Sequence, residues 1–82
     1  GPDPKVRFFA AESLAYLNDS SGADLLAEAV LREPDFRIYG LAALAAMDQP
    51  AGVLRLRRLM DEPDLSVKYG AFEALRSSDP TN

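Results

Sequence analysis

The sequence predicts an all-α fold, on three observations. Apolar residues recur at helical spacing, Ala and Leu dominate, and no stretch shows the period-two alternation of a strand. Each internal Pro lies between the apolar periods or at the start of one, where helices tolerate it. We therefore expect five short helices, joined by linkers short enough to favour antiparallel neighbours.

The first two helices are predicted over residues 4–17 and 22–32. Asp3 is expected to cap the first helix, and Ser20 or Ser21 the second, because a side-chain oxygen at this position accepts a hydrogen bond from an unpaired helix amide.

The other three helices are predicted over ranges that begin with Pro or closely follow one: 36–47, 50–61 and 65–76. Asp35 is the expected cap of the third helix and Asp64 that of the fifth. Asp48 or Gln49 is the cap candidate for the fourth.

Both ends of the chain differ from its interior. Gly1 and Pro2 match the remnant left when a protease removes an affinity tag, so we expect the folded domain to span residues 3–78. Residues 79–82 form a polar tail. The abrupt start suggests a module excised from a longer protein, and the apolar runs are too short for a membrane span.

Composition excludes several classes of chemistry. The 82 residues include 13 Asp and Glu against 9 Lys and Arg, and they include no His, Cys or Trp. Thiol nucleophiles, Ser-His-Asp triads and most zinc or haem ligands are therefore absent. Acidic residues fall mainly at predicted helix ends and turns, where capping accounts for them. We expect a protein that is not an enzyme and holds no metal or cofactor.

An internal repeat organises the chain. Residues 6–14, 36–44 and 67–75 align without gaps, and the motif Glu-Pro-Asp closes both intervening helices. In the three copies the first position is apolar, the second basic, the fifth small and the ninth Leu. A recurring period near 30 residues is typical of helical arrays, in which each repeat buries its apolar face against its neighbours.

This pattern resembles HEAT repeats, and its short period is most similar to the bacterial HEAT-like repeats of phycobilin lyases. The resemblance covers residues 4–78, about two and a half repeats. It implies an α-α superhelix (solenoid) fragment, with the helices at 4–17, 36–47 and 65–76 on the concave side. It also implies a scaffold or protein-recognition function.

Two alternative functions follow from resemblance alone. Residues 6–17 and 68–76 are also similar to a HEAT-like segment of bacterial flagellar P-ring-related proteins, which implies a cell-envelope basal-body component. The likeness to phycobilin lyases implies an accessory part of a bilin lyase-type enzyme. These resemblances leave a bacterial cytoplasmic or periplasmic location open.

A candidate partner-binding stripe comes from the third repeat position. On a helical wheel Val6, Ala10, Leu14 and Leu17 share one side of the first helix, which we expect to face the core, and Phe8 lies almost opposite. The proposed concave stripe comprises Phe8 and its repeat equivalents, with two flanking acids: Phe8, Ile38, Tyr69, Glu12 and Glu73. The alternative is that the three apolar residues pack between helices.

The basic position of the repeat holds Arg7, Arg37 and Lys68. We expect a structural ladder in which these side chains bind carbonyls or carboxylates of the turns between repeats. The candidate carboxylates are Asp19, Asp35, Asp48 and Asp64. Catalysis or phosphate binding is the alternative.

The expected partner is a protein or peptide. Arg55, Arg57 and Arg58 form a small basic cluster, but the net charge of -4 and so few cations disfavour nucleic-acid binding. We expect Arg55 and Arg58 to pair with Asp61 or Glu62. Exposed solenoid ends also predict self-association.

Overall fold

The computed structural model describes residues 3–47 and 50–78, and the regular elements in these two ranges are all helical. The described residues form five α-helices in this order: α1 (Pro4–Tyr16), α2 (Ala23–Arg32), α3 (Arg37–Ala46), α4 (Pro50–Leu59) and α5 (Leu65–Ser78). The predicted all-α class and five helices are confirmed. The tag remnant, the polar tail and the cap candidates Asp48 and Gln49 lie outside the described residues.

Two of the predicted caps are confirmed. An Asp3 carboxylate oxygen accepts a hydrogen bond from the Lys5 amide at 2.8 Å, which satisfies one unpaired donor of α1. An Asp64 oxygen accepts from the amides of Ser66 and Val67 at 2.9 and 3.3 Å before α5.

The predicted caps of the second and third helices are wrong. Short 3-10 turns at Ser20–Gly22 and Pro34–Phe36 precede α2 and α3. The residues at the N-cap positions are Gly22 and Phe36, and neither makes a side-chain capping bond. Asp19 caps the first 3-10 turn instead, by accepting from the Ser21 amide. Each of these helices begins directly after a 3-10 turn, so its N-cap residue lies later in the chain than the one that the sequence indicates.

Helix α3 lies at the centre and contacts each of the other four helices. Its buried side carries Gly40, Leu41, Ala43 and Leu44. A Cβ atom added at Gly40 would lie 2.8 Å from Cγ2 of Val30 and 3.3 Å from the Leu26 carbonyl oxygen, so this helix approaches α2 more closely than a side chain would allow.

The predicted core side of α1 is wrong. The buried residues are Phe8, Ala11 and Ala15, whereas Val6 is 60% exposed and Leu17 is 78% exposed. Apolar residues lie on every side of this helix, so periodicity alone could not select the buried one. The contacts of α1 with α2 and α3 decide which side is covered.

Phe8 anchors this orientation of α1. Its ring stacks on Phe36, in the turn before α3, with ring centroids 4.5 Å apart and planes inclined by 10°. The neighbouring Phe9 contacts the Phe36 ring edge-on, with 6.2 Å between the ring centroids. Aromatic pairs of both geometries are favourable.

The adjacent aromatics of α1 provide a matched test of its orientation. Phe8→Ala should lower the free energy of unfolding by about 3–5 kcal/mol, because it leaves a cavity in the core. Phe9→Ala should cost less than half as much, because the Phe9 side chain is 52% exposed. Urea unfolding of both variants measures the difference, and equal losses would contradict the orientation.

Candidate functional site

The structure separates the members of the predicted stripe. Phe8 is 1% exposed and belongs to the core, so its assignment to a binding surface is wrong. Ile38 and Tyr69 are 71% and 62% exposed. Glu12 is half-buried, and Glu73 is exposed and lies 3.3 Å from Arg76 as an ion pair.

Helix α3 presents an apolar surface to solvent, which we call the α3 open face. It consists of four exposed residues: Ile38, Tyr39, Ala42 and Ala46. A helix advances about 100° per residue, which places these positions within an arc of about 100°. That arc lies opposite the buried side of α3, so the helix is apolar all round.

Sequence reasoning missed Tyr39, Ala42 and Ala46. The signal was present, because residues 38–47 carry no charged side chain. A helix with one buried side normally has polar residues on the other, whereas an all-apolar helix is fully covered or presents an apolar surface. The structure leaves one side of α3 uncovered within the residues it describes.

Arg37 joins three helices through its guanidinium group. Its Nε donates to the Val30 carbonyl at 2.7 Å, and one terminal nitrogen donates to the Leu31 carbonyl at 3.2 Å. The other terminal nitrogen donates to the Ser66 hydroxyl at 2.9 Å. Val30 and Leu31 lie in the last turn of α2, whose carbonyls lack partners within the helix.

Of the three basic residues of the predicted ladder, Arg37 alone makes side-chain contacts of this kind among the described residues. The acceptors of Arg37 are carbonyls and a hydroxyl, and not the aspartates that were candidates. It reaches Asp64 only through Ser66, whose hydroxyl donates to an Asp64 carboxylate oxygen at 3.0 Å. Arg7 and Lys68 make no side-chain hydrogen bond or ion pair within residues 3–47 and 50–78.

Asp64 is held in its ionised form by these neighbours. The hydrogen bond from the Ser66 hydroxyl, followed by those from the amides of Val67 and Ser66, lowers its pKa below the ordinary value of 3.8. The positive charge of Arg37 acts in the same direction. Asp19 has a lowered pKa for a similar reason, because the Ser21 hydroxyl and amide bind its carboxylate.

Arg55 pairs with a different helix than predicted. Its guanidinium contacts the Asp24 carboxylate at 2.8 and 3.0 Å, which links α4 to α2. The expected pairing of Arg55 with Asp61 or Glu62 is wrong, since the packing of α2 on α4 brings a carboxylate closer. Arg58 makes no side-chain hydrogen bond or ion pair to a described residue.

The apolar cavity beside Phe8 is smaller than a typical small-molecule pocket. A cavity of about 160 Å³ lies between α1, α2 and the turn before α3, with Phe8, Leu25 and Phe36 among its lining residues. Ligand pockets usually enclose about 300–1,000 Å³. Within the described ranges, no three acidic side chains come together in a way that could hold a metal ion.

Comparison with known proteins supplies no relative. No family model, curated protein or solved structure matches this chain. Among the helices of residues 3–47 and 50–78, none has the length and apolar character needed to cross a membrane.

Arg37 should contribute more to stability than an arginine without partners. Arg37→Ala should lower the free energy of unfolding by about 2 kcal/mol, because two carbonyls and a hydroxyl lose a charged donor. Arg58→Ala should change it by less than about 0.5 kcal/mol. Equal melting temperatures of the two variants would show that the Arg37 contacts are not stabilising.

The lowered pKa of Asp64 predicts a specific acid response. Because its folded pKa lies below the unfolded value, its stabilising contribution is complete above pH 3.8 and is lost as the pH falls through the folded pKa. Carbon-detected NMR titration should give an Asp64 midpoint below 3.8. Ser66→Ala should raise that midpoint, since it removes the largest cause, and an unchanged midpoint would contradict the assignment.

Proposed function

We propose that this chain is a HEAT-like α-solenoid fragment whose function is non-catalytic protein recognition or assembly. Two sets of helix contacts support the proposal. The repeat-equivalent helices α1, α3 and α5 contact one another in chain order, and α2 contacts α4. This order of contacts is the one that stacked helical hairpins require.

The observation that carries the function is the α3 open face. Single exposed apolar residues are ordinary on protein surfaces, but a contiguous apolar patch is typical of a binding site. Ile38 and Tyr39 provide the large side chains of this patch, and Ala42 and Ala46 leave room for a partner to approach the helix. An amphipathic helix or an apolar peptide has matching chemistry.

The composition of the chain supports the same function. Recognition through shape and apolar contact needs no nucleophile, general base or metal, and the sequence has no His or Cys. Tyr39 is well suited to binding, because tyrosine offers a large contact area at small cost in side-chain entropy.

A peptide-selection experiment tests the α3 open face. Phage-displayed random peptides are selected on the natural chain, and the enriched peptides are synthesised and titrated by calorimetry. Ile38→Glu should weaken their binding by about tenfold or more, because it places a charge in the centre of the contact. Melting temperature should stay within a few degrees, since Ile38 is exposed.

Leu54→Glu is the matched control, because Leu54 is an exposed aliphatic residue on α4. This variant should bind the selected peptides as the natural chain does. Amide shifts in NMR spectra should change at residues 38–46 when peptide is added. Absence of enriched peptides, equal binding by Ile38→Glu, or shift changes confined to other helices would refute the proposal.

A further inference from the structure

Helix α1 carries a second apolar surface, which we call the α1 outer stripe. Its members lie at helical spacing, and all of them are exposed: Val6, Ala10, Ser13 and Leu17. They lie on the side of α1 turned away from the buried Phe8 and Ala15. Nothing among the described residues covers this side.

The repeat shows what covers the same positions elsewhere in the chain. In α3 and α5 the equivalent residues are buried or half-buried: Phe36, Gly40, Ala43 and Met47, then Val67, Ala71, Ala74 and Ser78. At Gly40 the covering atoms belong to the preceding helical hairpin, which is formed by α1 and α2. An added Cβ would lie 2.8 Å from Val30 of α2 and 3.7 Å from Phe8 of α1. These positions are thus the contact between one hairpin and the hairpin before it.

Helix α5 shows the opposite arrangement, because it exposes the positions that α1 buries. On α1 the residues that face the following hairpin are Phe8, Ala11 and Ala15, and they are buried. The equivalent residues of α5 are all exposed: Tyr69, Phe72 and Arg76. Helix α5 therefore has an uncovered surface of the kind that, on α1, packs against α3.

We propose that a second copy of this chain covers the α1 outer stripe, with its α5 docked head-to-tail on α1. The contact continues the one that already joins successive hairpins within the chain. Phe8 of α1 stacks on Phe36, in the turn before α3, with ring centroids 4.5 Å apart, and the same repeat positions place Tyr69 of one copy against Val6 of the next. Tyr69 thus belongs to this end surface and not to the α3 open face.

The polar residues of this contact also follow the repeat. Within the chain, Arg37 binds Ser66, and Ser66 binds the capping carboxylate of Asp64. The equivalent of Arg37 on α5 is Lys68, which is half-buried and has no side-chain partner among the described residues. The equivalent of Asp64 on α1 is Asp3, which also caps its helix. Head-to-tail docking brings Lys68 of one copy towards Asp3 of the next, and also towards Lys5, which is the equivalent of Ser66.

This contact uses different surfaces on its two sides, so it does not close on itself in a dimer. In a pair of docked copies, one copy keeps a free α1 outer stripe and the other keeps a free exposed side of α5. Association can therefore continue to longer chains of subunits. The proposal concerns surfaces other than the α3 open face. Its outcome is therefore independent of the peptide-binding experiment.

Sedimentation equilibrium of the natural chain across micromolar to millimolar concentration tests the contact. The average mass should rise with concentration above the 8.9 kDa of one chain. Val6→Glu and Tyr69→Glu should each weaken association by about tenfold or more, because each places a carboxylate in an apolar contact. Ile38→Glu is the control and should associate as the natural chain does.

Mixing the two variants distinguishes head-to-tail docking from any symmetric contact. Val6→Glu retains an intact α5 end and Tyr69→Glu retains an intact α1 outer stripe, so an equimolar mixture should form a one-to-one complex that grows no further. Natural chain that stays monomeric, variants that associate normally, or a mixture that forms no complex would overturn the proposal.

Discussion

Burial of α3 is the constraint on which the rest of this structure depends. This helix contacts all four others, and such crowding is possible only where small residues let backbones approach. Gly40 meets α2 in this way. Gly52 of α4 does the same against α3, where an added Cβ would clash with the Leu44 carbonyl oxygen. Apolar packing around α3 thus fixes the positions of α2 and α4 together.

Arg37 supplies the polar counterpart of that packing. The C-terminal carbonyls of α2 have no partners within their own helix, and the guanidinium of Arg37 binds two of them while holding the start of α5 through Ser66. A planar group with several donors suits this position better than an ammonium group. Arg37 therefore connects α3 to the end of α2 and to the start of α5.

The surfaces that remain uncovered have two different origins. The α3 open face is uncovered because no helix of residues 3–47 and 50–78 packs on that side of the layer formed by α1, α3 and α5. The α1 outer stripe and the exposed side of α5 hold repeat positions that are buried where α1 packs on α3. Residues at one repeat position, such as Phe8 and Tyr69, consequently differ in burial although their local sequences are similar.

The sequence by itself determined the all-α class, the number of helices and the caps at Asp3 and Asp64, because proline positions, apolar spacing and capping act over a few residues. It also predicted that Arg37 binds carbonyls near the turns between helices, as its bonds to Val30 and Leu31 do. Only the tertiary structure decided which side of α1 is buried, since apolar residues lie on every side of that helix and its contacts with α2 and α3 select the buried one. The same holds for the acceptors of Arg37, because Ser66 lies 29 residues away in sequence and packing alone brings it into hydrogen-bonding distance.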